Sequence, residues 1–253
     1  MDAWAIGAIV FVCIFGGALL GMYLRCKLPP QHLGDDSKDA VKLGMGLVAT
    51  MAALVLGLMV ATAKSSYDSK KSGIDQISAK LILLDGMLAQ YGPETQNARL
   101  RLRNIVAIGL QKIWPADASQ DSSLAPTTTA EGENLYSLIL GLAPSDDRQR
   151  ALQSTALQLG VEVAQARWLL VAETESSDVS VVFLVILIFW LTVLFASFGL
   201  YAPPNMTVIS TLSLSALSVS AAVFLIMELA QPFTGLVHIS SAPLRTALSH
   251  LAQ

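Results

Sequence analysis

Charged side chains make up only 14% of this chain, and histidine occurs three times, as His32, His238 and His250. Soluble domains carry about 25% charge, so this scarcity, set beside 53% hydrophobic residues, excludes an ordinary water-soluble globule. Catalytic signatures are missing as well. The chain has no glycine-rich phosphate loop with lysine, no nucleophile elbow and no pair of histidines on one helix face. The expectation is that it is not an enzyme and uses no cofactor. The two cysteines, Cys13 and Cys26, are too few for a disulfide framework and read as free thiols. A net charge of -3 with no concentrated basic face argues against a nucleic-acid partner. His32 beside Asp35, Asp36 and Asp39 has metal-ligand chemistry, but a capped, solvated loop explains the same residues, and no metal is expected.

What the chain does have is long apolar runs: Ala3 to Leu24, Leu43 to Ala63, Val179 to Tyr201 and Val208 to Leu229. Each approaches the ~20 residues a helix needs to cross a bilayer. The first run is preceded by Asp2 rather than by a basic segment, and Gly21 to Lys27 offers no small-residue cleavage site, so it reads as a retained anchor. After the second run no helix breaker appears until Gly92-Pro93, so one helix is expected to leave the membrane and continue to about Gln90. Within that extension Ile74, Ile77, Leu81, Leu84, Leu88 and Tyr91 alternate at spacings of three and four, a heptad seam, with Lys70, Lys71, Asp75 and Lys80 assigned to the opposite face. A second seam, Leu152, Ala156, Leu159, Val163, Ala166 and Leu170, follows the helix-start signal Pro144 to Asp147. Neither stripe is wide enough to stabilise a lone helix, so the two are expected to pair antiparallel.

The fold class expected is therefore all-α, a four-span helical membrane protein with a helical extramembrane stalk domain between spans two and three. Its divisions fall at 1–63 for spans one and two, 64–178 for the stalk, 179–231 for spans three and four, and 232–253 for a C-terminal tail. Two more helices are expected in the distal stalk, Glu94 to Ile113 and Glu133 to Leu142, separated by a Ser/Thr/Pro-rich loop. Arg99, Arg101 and Arg103 read as a charged helix face, with a lipid or anion patch as the sharper alternative. In the tail, Leu244, Leu248 and Leu251 give a short helix that lies on the membrane or docks under the stalk. Lys64, Lys70, Lys71, Lys80, Arg167 and Arg245 outnumber Arg25, Lys27, Lys38 and Lys42, which puts stalk and termini in the cytoplasm.

Candidate pore or ion contacts lie in and after the fourth run. Thr207, Thr211, Ser215 and Ser218 fall within an arc of about 80° at 100° per residue, a stripe that either lines water or packs helix against helix. Ser210, Ser213 and Ser220 form a second stripe. Glu228, about 18 Å from the middle of the run at 1.5 Å per residue, is either an interfacial structural carboxylate or a pore-mouth contact. Pro232 breaks or kinks the span and aims Phe233 inward as an apolar gate. Gly17 and Gly21 in the first run, and Ala53, Gly57 and Ala61 in the second, read as tight-packing positions.

The segments Gly46-Leu-Val-Ala-Thr50, Ala61-Thr-Ala-Lys-Ser-Ser-Tyr67-Asp68, Met227-Glu228-Leu-Ala-Gln-Pro232-Phe233-Thr-Gly235 and Ser240-Ser-Ala-Pro-Leu-Arg245 together resemble the bestrophin-like membrane proteins of bacteria, domain of unknown function 4239. The resemblance implies an acidic-basic pair between Leu229 and Pro232, where this chain departs from it with Ala230 and Gln231. The resemblance implies a relation to the four-span pentameric anion channels called bestrophins. It makes the leading expectation a homo-oligomeric, anion-conducting channel of the bacterial inner membrane, with the lipid bilayer and its own copies as partners. A non-conducting scaffold or sensor acting through the stalk is the alternative.

Overall fold

The computed structural model describes residues 3–29, 35–114, 129–176, 181–233 and 235–251, and the described regular structure is helical throughout. In chain order the helices are α1 (Ala3–Lys27), α2 (Asp35–Tyr91), α3 (Gln96–Ile113), α4 (Thr129–Leu140), α5 (Asp147–Ser176), α6 (Val181–Tyr201), α7 (Met206–Ala230) and α8 (Ala242–His250). Four of them, α1, α2, α6 and α7, contain a stretch long and apolar enough to span a membrane. The chain divides into two compact units, one of Met1–Tyr67 with Ser177–Val237 and the other of Asp68–Ser176 with His238–Gln253. Helix α2 contributes to both, because its 57 residues contain no proline and no break.

In the first unit α1 and α6 run parallel with their backbones in contact. A Cβ on Gly21 would stand 2.0 Å from the Ala196 carbonyl oxygen, and a Cβ on Gly199 would stand 2.0 Å from that of Ala18. Gly17 faces Thr192 in the same way, its Cβ position 2.8 Å from the Thr192 carbonyl oxygen. Within lipid there is little hydrophobic gain from bringing helices together, so close packing of small residues is what holds them. The glycines expected to pack on the first span do so, and Gly199 supplies the matching surface from the other side. Helix α7 crosses α1 antiparallel, with the Ser220 hydroxyl donating to the Gly7 carbonyl at 2.5 Å and the Phe224 ring 4.6 Å from that of Trp4. Val10, Ile14, Leu187, Ala216 and Val223 are the sealed centre of this unit. Asn205 opens α7 as its N-cap, accepting from the Val208 amide at 3.0 Å.

The span of α2 is different. Only 6% of its most apolar window is buried, against 39% for α1, and Leu43, Leu47, Leu54 and Leu58 are all more than two-thirds exposed. Ala53, Gly57 and Ala61, expected to pack tightly, are exposed within the chain, and a Cβ on Gly57 would meet nothing. Ala52 and Ala63 are the α2 positions buried in this unit's cores.

In the second unit α2 and α5 lie antiparallel. Ser69 bonds Glu173 at 3.3 Å, Lys80 pairs with Glu162 at 3.2 Å, and Gln149 donates to the Tyr91 carbonyl at 3.0 Å, a ladder that climbs α2 as it descends α5. The full α2 seam from Ile74 to Tyr91 is buried, as are Ala156 and Leu170 of α5, while Leu159 and Val163 are half-buried. Lys70 does not join the polar face assigned to it. It lies four residues before Ile74, in line with the seam, and is 1% exposed. Helix α2 ends where Gly92 adopts φ +141 and Thr95 turns its hydroxyl back to the Leu88 carbonyl at 2.6 Å. Asp146 caps α5, accepting from the Gln149 amide at 2.6 Å. The tail docks here: Trp114 at the end of α3 donates its indole N–H to the Ile239 carbonyl at 2.8 Å, and Leu244, Ala247 and Leu251 are buried.

Candidate functional site

The four hydroxyls of the first α7 stripe share one face, and that face is uncovered. Thr207, Thr211, Ser215 and Ser218 are all exposed within the chain. Thr211 donates to the Thr207 carbonyl and Ser218 to the Leu214 carbonyl, both at 2.9 Å, so the hydroxyl protons are held on the helix and the oxygen lone pairs face outward. Of the second stripe, Ser220 is buried and spends its proton on α1, while Ser213 is half-buried and Ser210 exposed. One helix thus uses hydroxyls both to pack and to present a polar surface.

Glu228 is not on the exposed face. It is 4% exposed, and its Oε2 accepts hydrogen bonds from the backbone amides of Leu236 at 2.8 Å and Val237 at 3.4 Å. The local sequence explains this. Helix α7 stops before Pro232, with the Gln231 amide closing on the Glu228 carbonyl at 3.1 Å, and Gly235 then takes φ +96. A residue with a side chain is strained in that conformation. A Cβ there would also sit 2.5 Å from Glu228 Oε2. The positive φ turns successive amides towards one point, a small anion-holding nest, and the carboxylate fills it. Charge-assisted hydrogen bonds of this kind contribute roughly 1.5–3 kcal/mol, offsetting the unfavourable position of a negative charge near a helix C-terminus. Phe233 sits between the helix end and this turn, half-buried.

The structure therefore gathers Thr207, Thr211, Ser215 and Ser218 on one face and places Glu228 and Phe233 at the exit turn. Sequence reasoning missed the part of Gly235, although a glycine shortly after a proline-stopped helix is the signal of a reversed backbone. Among the described residues no group of three or more His, Cys, Asp or Glu side chains is arranged to hold a metal ion. His32 lies outside the described residues.

The arginine trio on α3 also separates. Arg99 binds Asp85 through both arms of its guanidinium, at 2.7 and 2.8 Å, and that hydrogen bonding raises its pKa further, while Arg101 and Arg103 are exposed. Glu162 is held below the usual carboxylate range by hydrogen bonds from Gln158 and then Lys80. These groups organise the second unit.

Comparison with known proteins agrees with this architecture. The chain superposes on a point mutant of a bacterial bestrophin homologue from Klebsiella pneumoniae with a TM-score of 0.69 at 14% identity, over 97% of each chain. No curated protein matches it. The model of the bestrophin-like domain matches residues 12–244, from within α1 to within α8, and the chain accordingly belongs to the bestrophin-like family.

Proposed function

We propose that this protein is one subunit of a homo-oligomeric ion channel that passes anions across the bacterial inner membrane. The observation that carries the proposal is the uncovered polar and small-residue surface on two spans, Thr207, Thr211, Ser215 and Ser218 on α7 and Ala53, Gly57 and Ala61 on α2. Lipid tails reward leucine, as on Leu43, Leu47, Leu54 and Leu58. They do not reward a row of exposed hydroxyl oxygens. Such rows suit either a neighbouring subunit or a wet path, and a ring of copies supplies both.

Anion preference follows from the electrostatics. An ion in a span repels like charge at close range, and the carboxylate of Glu228 is turned into the Gly235 nest. In this reading the α7 hydroxyls line the path, Phe233 forms an apolar constriction, and Glu228 acts at the mouth by fixing the turn that carries Phe233. Both termini and the second unit face the cytoplasm, as the lysines and arginines flanking the spans favour.

Purified protein in liposomes tests this directly. Chloride and nitrate flux should exceed potassium flux, and Phe233→Ala should raise anion flux several-fold with the assembly intact. Well-folded protein that leaves liposomes impermeable to all three ions across pH and voltage would instead support a membrane scaffold acting through its helical unit.

A further inference from the structure

Helix α5 is apolar on two sides, and the α2–α5 pair covers only one of them. Opposite the seam that faces α2, the positions Leu157, Val161, Ala164, Trp168 and Val171 recur at four, three, four and three residues. At 100° per residue they form one stripe. Val161, Trp168 and Val171 are 42%, 55% and 40% exposed, Ala164 is exposed, and Arg167 lies 5.6 Å over the Trp168 ring. All five belong to the second unit, outside the apolar spans, where water would meet them. A heptad stripe left open to water is a helix-binding surface.

The other member of the pair carries the complement. On the side of α2 turned away from α5, Gln76, Ala79, Leu83 and Gly86 recur at three, four and three residues. Leu83 is 52% exposed, and a Cβ on Gly86 would meet nothing. Two of the four α2 positions, Ala79 and Gly86, are small, whereas four of the five α5 positions are bulky. The antiparallel ladder sets their heights: Lys80 is level with Glu162, so Leu83 stands near Val161 along the pair and Ala79 near Ala164. All copies of a membrane protein cross the bilayer in one sense, so equivalent residues of neighbouring copies lie at equal depth. Two different uncovered stripes on opposite faces of one pair, at the same height, are what a head-to-tail contact between identical copies requires.

We infer that the occupant is a second copy of this chain, with the outer stripe of α5 from one copy packing on the outer stripe of α2 from the next. This rests on the homo-oligomeric reading given above and names the surface that makes it. The contact lies outside the membrane, so it holds the ring together without occupying the hydroxyl face of α7.

The test uses the full chain with Cys13 and Cys26 replaced by alanine. Differently tagged chains carrying Leu83→Cys alone or Val161→Cys alone are co-expressed and oxidised in native membranes, and the assembly mass is measured in parallel. Disulfides between the two tags, at least tenfold above those between like tags, are the expected result. Within one chain these positions face opposite ways, so the mixed product reports on neighbours. Val161→Glu together with Trp168→Glu should reduce the assembly to monomers with helicity unchanged, since both side chains are exposed. An oligomer that gives no mixed product, links only Val161 positions to each other, or survives the double glutamate change overturns this interface and leaves oligomerisation standing. A chain monomeric in native membranes overturns both. Quenching of Trp168 fluorescence by brominated lipids as strong as that of Trp4 in the first span would assign the stripe to the bilayer surface and also overturn the proposal.

Discussion

Glu228 and Lys70 are the two most buried formal charges among the described residues, and the chain treats them in opposite ways. The carboxylate of Glu228 is received by amides that the Gly235 turn points at it, so its removal should loosen that turn. Glu228→Gln keeps the shape but loses the charge assistance, and a drop of about 1–3 kcal/mol in stability is expected. Gly235→Ala should match it, through strain at φ +96 and the 2.5 Å approach to Oε2. Thermal melts of both variants in detergent check this, and unchanged melting would mean the turn holds itself. For Lys70, burial pushes the ammonium below the usual lysine range, with Glu173 opposing the shift. The folded state therefore binds this proton less tightly than the unfolded chain does. Stability must rise with pH through the interval between the depressed folded value and the ordinary 10.5. Measured against Lys70→Met, the wild-type melting temperature should hold a constant offset at neutral pH and gain steadily on the alkaline side. A flat offset up to pH 10.5 would show that Lys70 titrates like a surface lysine.

Among the elements, the α1–α6 contact depends most on side chains being absent. Gly21→Val or Gly199→Val drives a Cβ into a backbone carbonyl that no rotamer can move aside, so the helices must part. Overpacking typically costs 1–3 kcal/mol, more where backbone is the obstacle. Gly57→Val, where nothing lies within 4 Å, should leave the melting of the isolated protomer unchanged, and comparing the three melts checks both statements. In α7, Thr211→Val together with Ser215→Ala removes two hydroxyls with little change in volume; the expected outcome in liposomes is a several-fold loss of anion flux without a change in melting. Much of this architecture was readable in advance, because period and breakers are local signals. The absence of a stop between Lys64 and Gly92 announced α2, and the two seams announced its partner. What was not readable depends on the third dimension. Lys70 continues the seam by spacing, yet its charge assigned it to the wrong face, since periodicity is blind to whether a long side chain can be accommodated between helices. Ala53, Gly57 and Ala61 look like Gly17 and Gly21 in sequence, but only the latter find a partner within the chain, and partner choice is a tertiary fact. Four α7 hydroxyls and Ser220 share a composition and differ only in what faces them.

For the whole molecule, orientation is the prediction that affects the others, because it decides which side meets the mouth near Phe233. With Cys13 and Cys26 replaced by alanine, a cysteine at the exposed Arg103 should resist an impermeant thiol reagent added to intact spheroplasts and react after lysis. Ready labelling of intact cells would invert the topology. The parallel embrace of α1 and α6 also has a consequence in time. The first span enters the bilayer with the bare backbone of Gly17 and Gly21 on one side, and the helix that fills that groove begins only at Val181. At synthesis rates of about 5–20 residues per second, the gap amounts to roughly ten seconds or more. During that interval the insertion machinery, the second span or lipid itself must line the groove. The tightest glycine contact among the described residues is therefore one whose halves are separated on the ribosome by the synthesis of α2 to α5.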